Sequence, residues 1–208
     1  MMLQASYPKY CKKFLYKNIS YKDYSFKQKT YKYFIVIPVY NELHYIHQTL
    51  QSINTQSQKL LNDSLVILVI NNSTNEKLDI IQNNYDTHKL IKKNKYNFEI
   101  AVLDYYSKDN ALKEKYSGVG TARKIGMDFA LKYANKDSLL FSLDADTIVS
   151  NNYLKIISNN YYKNSFNVCT VNFKHQESKN AKINLGIKIY ENTLNDIAKK
   201  IKNCNSPY

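Results

Sequence analysis

Residues 33–42 read YFIVIPVYNE: an unbroken apolar run that turns polar at Tyr40, Asn41 and Glu42. A strand with one wet face alternates apolar and polar residues, so a continuous run predicts a strand covered on both faces. The pattern returns as LVILVI (65–70), EIAVL (99–103), LLFSL (139–143) and VCTVNF (168–173), which predicts five strands. Between them lie stretches with helical spacing. Leu43, Ile46, Leu50 and Ile53 fall on one side of a helix, and Ala122, Ile125, Phe129, Ala130 and Tyr133 do the same in TARKIGMDFALKYA. Buried strands alternating with amphipathic helices predict an α/β fold, a mostly parallel central sheet with helices on both faces. In such sheets ligands bind beyond the carboxyl ends of the strands. The polar clusters PVYNE, NNSTNE and DAD sit at three of those ends and predict one shared crevice.

The chain has 208 residues, 44% hydrophobic and 23% charged, which fits one globular domain with a sizeable core. No apolar run approaches the roughly 20 residues that cross a bilayer, and the start lacks the apolar stretch of a signal peptide, so a cytoplasmic location is the expectation. Cys11, Cys169 and Cys204 are far apart and form no CxxC pair, which predicts reduced thiols rather than disulfides or zinc. The formal charge is +13, from 29 lysines and one arginine against 17 acids. Residues 1–32 hold eight lysines against Asp23 alone, with tyrosines interleaved. Such a strip can meet single-stranded nucleic acid or an anionic membrane surface. Its ordinary reading is a solvated or loosely packed arm.

The stretch LLFSLDADTIVSNNYL (139–154) ends a strand in two carboxylates, Asp144 and Asp146. Their repulsion is offset if both approach a hard divalent cation, Mn2+ or Mg2+, whose shell is commonly completed by substrate phosphates. An Asp- and Asn-rich turn is the alternative. Thr147 follows Asp146 directly, so the aspartyl-phosphate pattern DxDx[TV] fails by one position. Three of the four glycines and the only arginine, Arg123, lie in GVGTARKIG (118–126). A lone guanidinium among so many lysines suits a task that needs a planar fork, such as a phosphate oxygen or a base edge. No strand precedes GVGTAR, and Arg123 replaces the third glycine of a dinucleotide fingerprint, which removes that reading.

Taken in order, FIVIPVYNE, VILVINNSTNE, GVGTARKIGMDFAL and LLFSLDADTIVSNNYL resemble the nucleotide-sugar-binding half of family 2 glycosyltransferases, which have the Rossmann-like GT-A fold. The resemblance spans about residues 33–175. It implies that Pro38, Tyr40, Asn41 and Glu42 line the nucleoside pocket, and that Arg123 contacts the base or the diphosphate. It further implies that Asp144 meets the ribose or the metal and Asp146 the metal. The catalytic set would be Asp144, Asp146 and Arg123, and the partner a nucleotide-diphosphate sugar with a saccharide, lipid-linked or other acceptor. Where the family commonly has an aspartate holding the base, this chain has Asn71 and Asn72, which can donate as well as accept but carry no charge.

The resemblance also divides the chain. Residues 1–32 form the basic arm, 33–182 the nucleotide-sugar domain, and 183–208 a last helix, with Leu194, Ile197 and Ile201 on one side, at the truncated start of an acceptor region. The family's carboxylate base has no obvious counterpart. His175 is the alternative, with a pKa suited to general-base work, and Glu177 and Glu191 stand behind it. No metal spacing joins His44, His47 and His88. Two rival expectations are a non-catalytic nucleotide-binding remnant and a basic nucleic-acid-binding protein.

Overall fold

The computed structural model describes residues 7–16, 21–24, 26–164 and 166–203. They fall into two compact units, 1–164 and 165–208. In the first, helix α1 (Pro8–Lys13) and strand β1 (Tyr21–Tyr24) precede β2 (Tyr33–Val39), α2 (Ile46–Asn54), α3 (Gln58–Leu61) and β3 (Ser64–Asn71). Then come α4 (Leu78–Lys93), β4 (Glu99–Tyr105), α5 (Val119–Ala130), β5 (Leu139–Ser142) and α6 (Tyr153–Asn164). The second unit holds a stretch without helix or strand and then α7 (Ala181–Asn203).

The sheet order is β1-β4-β3-β2-β5. Strands β2 to β5 run parallel, and β1 pairs antiparallel with β4 at one edge. Every residue of β2 and β3 is buried, as their unbroken apolar runs require. Along β2, Ile35, Ile37 and Val39 face one core with Leu50 and Ile53 of α2, Ile91 of α4 and Leu154 of α6. Phe34 and Val36 face the other with Ala122, Ile125 and Phe129 of α5. The α/β architecture with helices on both faces is therefore the one expected. Gly126 decides how closely α5 lies on the sheet: a Cβ there would come within 2.4 Å of Val36 Cγ1 and 3.0 Å of Val69 Cγ2.

The fifth strand expected from VCTVNF does not form. Residues 168–173 belong to no strand or helix and have no ladder partners, and Val168 and Phe173 stand 86% and 71% exposed. Their spacing suits a strand, but a strand also needs a neighbouring edge. The edge place beside β4 goes instead to β1, in the basic N-terminal stretch. Other parts of that stretch are packed rather than merely solvated. Phe26 and Tyr31 are buried in the α5-side core, and the Tyr10 hydroxyl (2.6 Å) and Tyr16 amide (2.8 Å) donate to Asp128 of α5, a buried carboxylate that also takes Lys124. No helix among the described residues is long and apolar enough to cross a membrane.

Candidate functional site

The register carries the strand ends to one place. Val39 pairs with Ile70 and Asn71 with Tyr105, so β2, β3 and β4 finish together. Strand β5 stops at Ser142 beside Val36, the Leu143 amide still bonds the Val36 carbonyl at 3.1 Å, and Asp144 and Asp146 line one pocket with Pro38 and Tyr40 at the end of β2. From β2 the chain builds outward to β3 and β4, then returns to the other flank of β2 with β5. That reversal is the switch point at which open α/β sheets leave a crevice.

A pocket of about 530 Å³ occupies it, lined among others by Pro38, Tyr40, Glu42, Asn71, Asp144 and Asp146. This volume falls within the roughly 300–1,000 Å³ usual for small-molecule sites. Ser117, Gly118 and Val119 line it as well, which brings the start of α5 to its wall. The first N–H groups of a helix have no partner within it, so the wall presents donors and the positive end of a helix dipole.

Four carboxylates line the pocket, those of Glu42, Glu76, Asp144 and Asp146. Glu42 is partly buried, and its carboxyl is held above the ordinary range by burial first, then by the charges of Asp146 and Asp144. Arg123, one turn into α5, donates from Nη2 to Asp144, while its Nε is buried without a hydrogen-bond partner. Tyr40 is 43% exposed; burial of its hydroxyl and a hydrogen bond to Glu76 push it up from its usual value. At Asn71 the side-chain Nδ2 donates to the Ser117 carbonyl at 2.9 Å, which leaves Oδ1 buried at the pocket wall with no hydrogen-bond partner.

Asn41 and Asn72 play different parts. Asn41 takes a left-handed backbone, φ 60°, at the turn out of β2, a conformation asparagine tolerates better than most residues. Asn72 is buried and turned into the protein, with Oδ1 accepting from Asn84 at 3.0 Å and Nδ2 donating to the Ser73 carbonyl. Asn84 in α4 went unnoticed in the sequence, yet it ties two strand ends together. Its Oδ1 accepts the Asn41 amide at 3.0 Å, and its Nδ2 donates to the Asn71 carbonyl at 3.2 Å as well as to Asn72. Asn83 accepts the Leu43 amide beside it. The only sequence signal was a pair of amides in a helix, IQNNYDTH.

His175 lies in the second unit. Its backbone amide and Nδ1 both meet Oε1 of Glu191, at 3.0 and 2.8 Å, and these hydrogen bonds, the amide's first, hold the Glu191 carboxyl below its usual value. Glu177 pairs with Lys174 on the surface. Among the described residues no three His, Cys, Asp or Glu side chains are grouped to hold a metal ion. Asp144 and Asp146 bring two carboxylates to the pocket, whose charges already disfavour a third on Glu42, and hard oxygen donors of this kind are the chemistry that suits a divalent cation.

No protein-family model and no curated protein matches the sequence. Among solved structures, a crystal structure of residues 1–349 of S. aureus TarS matches at 18% identity and a TM-score of 0.41, over 71% of this chain and 40% of that one. The same fragment with UDP-GlcNAc matches at 18% and 0.42, over 71% and 38%. With UDP the figures are 16% and 0.39, over 71% and 40%. The chain thus spans about 40% of the length of that fragment. At this identity and TM-score the likeness assigns no activity.

Proposed function

We propose that this chain is the nucleotide-binding part of a family 2 type glycosyltransferase of the GT-A fold, moving a sugar from a nucleotide-diphosphate donor to an acceptor hydroxyl. The observation that supports the reading most is the convergence of Pro38, Tyr40, Glu42, Asn71, Asp144 and Asp146 with the start of α5 on one pocket. The nucleoside lies against Pro38, Tyr40 and Asn71, whose unpartnered Oδ1 accepts a donor of the base. The diphosphate lies toward α5 and Arg123, where helix N–H groups and a guanidinium meet phosphate oxygens. Asp144 and Asp146 hold a divalent cation, Mn2+ or Mg2+, which when bound supplies positive charge toward a departing diphosphate.

In transfer, the acceptor oxygen attacks the anomeric carbon. The bond from that carbon to the diphosphate oxygen breaks, the oxygen leaves with the electron pair, and a base takes the acceptor's proton. Arg123 serves this step by stabilising charge on the leaving group, moving its fork from Asp144 to phosphate.

Calorimetric titration with UDP, GDP, ADP and TDP, each with Mn2+, Mg2+ or chelator, tests the reading. The expected result is binding that strengthens with metal, and a metal gain that disappears in Asp146→Asn. Equal affinity with metal and chelator would remove both aspartates from the site. Donor consumption, followed with and without candidate acceptors, separates transfer from a nucleotide-binding role alone.

A further inference from the structure

Asn71 is the last residue of β3, in register with Tyr105 of β4, and its carbonyl takes the Asn84 amide at 3.2 Å. Its backbone is thus fixed to the sheet, while its side chain reaches another wall of the pocket. The Nδ2 donates at 2.9 Å to the carbonyl of Ser117, the residue before Gly118, which caps the start of α5. A carbonyl oxygen only accepts, so this contact requires the amide nitrogen and turns Oδ1 away from Ser117. That oxygen has no hydrogen-bond partner, on a side chain whose residue is 2% exposed. The entry to α5 has little else around it. A Cβ at Gly118 or Gly120 would meet nothing within 4 Å, and Val119 is 54% exposed. Ser117 itself uses its amide and hydroxyl inside its own turn, on the Glu114 carbonyl at 3.2 and 2.9 Å, so the Asn71 amide is what ties Ser117 to the sheet.

On the premise of the nucleotide site proposed above, we infer that Asn71 couples the two ends of a bound nucleotide: its oxygen accepts from the base while its nitrogen holds the entry of α5, where the phosphates lie. Toward the diphosphate it is a positioning residue, acting through Ser117. A buried acceptor without a partner penalises the arrangement that the free chain has. A base N–H removes this penalty only while Nδ2 stays on Ser117, because turning the amide over would set donor against donor at the base and oxygen against oxygen at Ser117. Base binding therefore favours the held entry of α5, and by reciprocity an occupied diphosphate end favours the base. Aspartate cannot do both. It accepts from a base, but its second oxygen faces the Ser117 carbonyl with no proton to give.

Asn71→Leu tests this, because it keeps the size, adds no charge and loses both hydrogen bonds. It also removes the unpartnered acceptor, and the Ser117 carbonyl that it frees belongs to a residue that is only partly buried. Its melting temperature should therefore equal or exceed that of the wild type. Calorimetry with pyrophosphate and Mg2+, a ligand without a base, should still show affinity lower by about fivefold or more. Unchanged pyrophosphate affinity overturns the coupling, and UDP binding by the wild type would leave the nucleotide site standing. A loss of affinity that comes with a lower melting temperature overturns it too, since a structural role alone gives that result. Hydrogen exchange on the wild type reads the same coupling without a variant. Uridine, thymidine, adenosine or guanosine, matched to the diphosphate that binds best and added without phosphate, should slow exchange at residues 118–124. Asn71→Asp should lose that response. Exchange that is unchanged in the wild type overturns the coupling whether or not the variants fold. If none of UDP, GDP, ADP and TDP binds the wild type, the nucleotide site fails first and the coupling falls with it.

Discussion

At the scale of the residue, Glu42 is where the pocket's chemistry shows in the stability of the fold. Its carboxyl sits above its ordinary value because burial and the charges of Asp146 and Asp144 disfavour the anion. The folded chain therefore holds this proton more tightly than the unfolded chain, and ionised Glu42 opposes folding. The opposition is absent where both states are protonated, below the ordinary carboxylate range, and complete above the raised value. Glu42→Gln should therefore raise the melting temperature near neutral pH, and the gain should shrink to nothing as pH falls through that window. A difference that ignored pH would show that Glu42 is not under this field. Arg123 gives the opposite case, a favourable pair made with Asp144. If its fork passes to phosphate, Arg123→Lys should weaken diphosphate binding by about 1.5–3 kcal/mol, the scale of a charged hydrogen bond, with the melting curve of the free chain little changed.

At the scale of the element, the strand ends were legible in the sequence because they needed only local information. An unbroken apolar run followed by PVYNE or DAD says that a buried strand ends and something polar begins. What was not legible depended on partners distant in sequence. YKDY becomes β1 because β4 has an edge to offer, and VCTVNF stays unpaired although its β-branched and apolar residues make it the better strand candidate. Asn84 was hidden for the same reason. An asparagine on a helix looks like any surface amide until the ends of β2 and β3 arrive beside it. Asn84→Leu should leave the Asn41 amide and the Asn71 carbonyl short of a partner, costing about 1–3 kcal/mol for each group that water cannot reach. Chemical denaturation measures the loss, and nucleotide affinity should fall with it because both loops border the pocket. Gly126→Ala acts on the opposite face. The added methyl meets Val36 and Val69, and overpacking of this kind costs about 1–3 kcal/mol. If α5 shifts to relieve it, its first turn moves at the pocket, and diphosphate binding weakens along with stability.

At the scale of the whole molecule, the charge distribution sets two kinds of anion binding against each other. The chain carries +13, yet its pocket is lined by Glu42, Glu76, Asp144 and Asp146. A polyanion is drawn to the lysine-rich surface at large, whereas a diphosphate entering the pocket meets carboxylates and needs a cation between. These modes answer salt differently. Binding of a single-stranded oligonucleotide through surface lysines releases counterions, so log affinity should fall steeply with log salt, by roughly 0.7 for each phosphate neutralised. Diphosphate binding with Mn2+ is built on short contacts within a partly enclosed site, and screening reaches such contacts less. The expected outcome is therefore a shallow salt dependence for UDP with Mn2+, a steep one for an oligonucleotide, and no displacement of the oligonucleotide by UDP. Competition between the two, with the same steep slope for both, would place the nucleotide on the basic surface instead. The lysines would then be the binding feature of this chain, and the two aspartates would only close a turn.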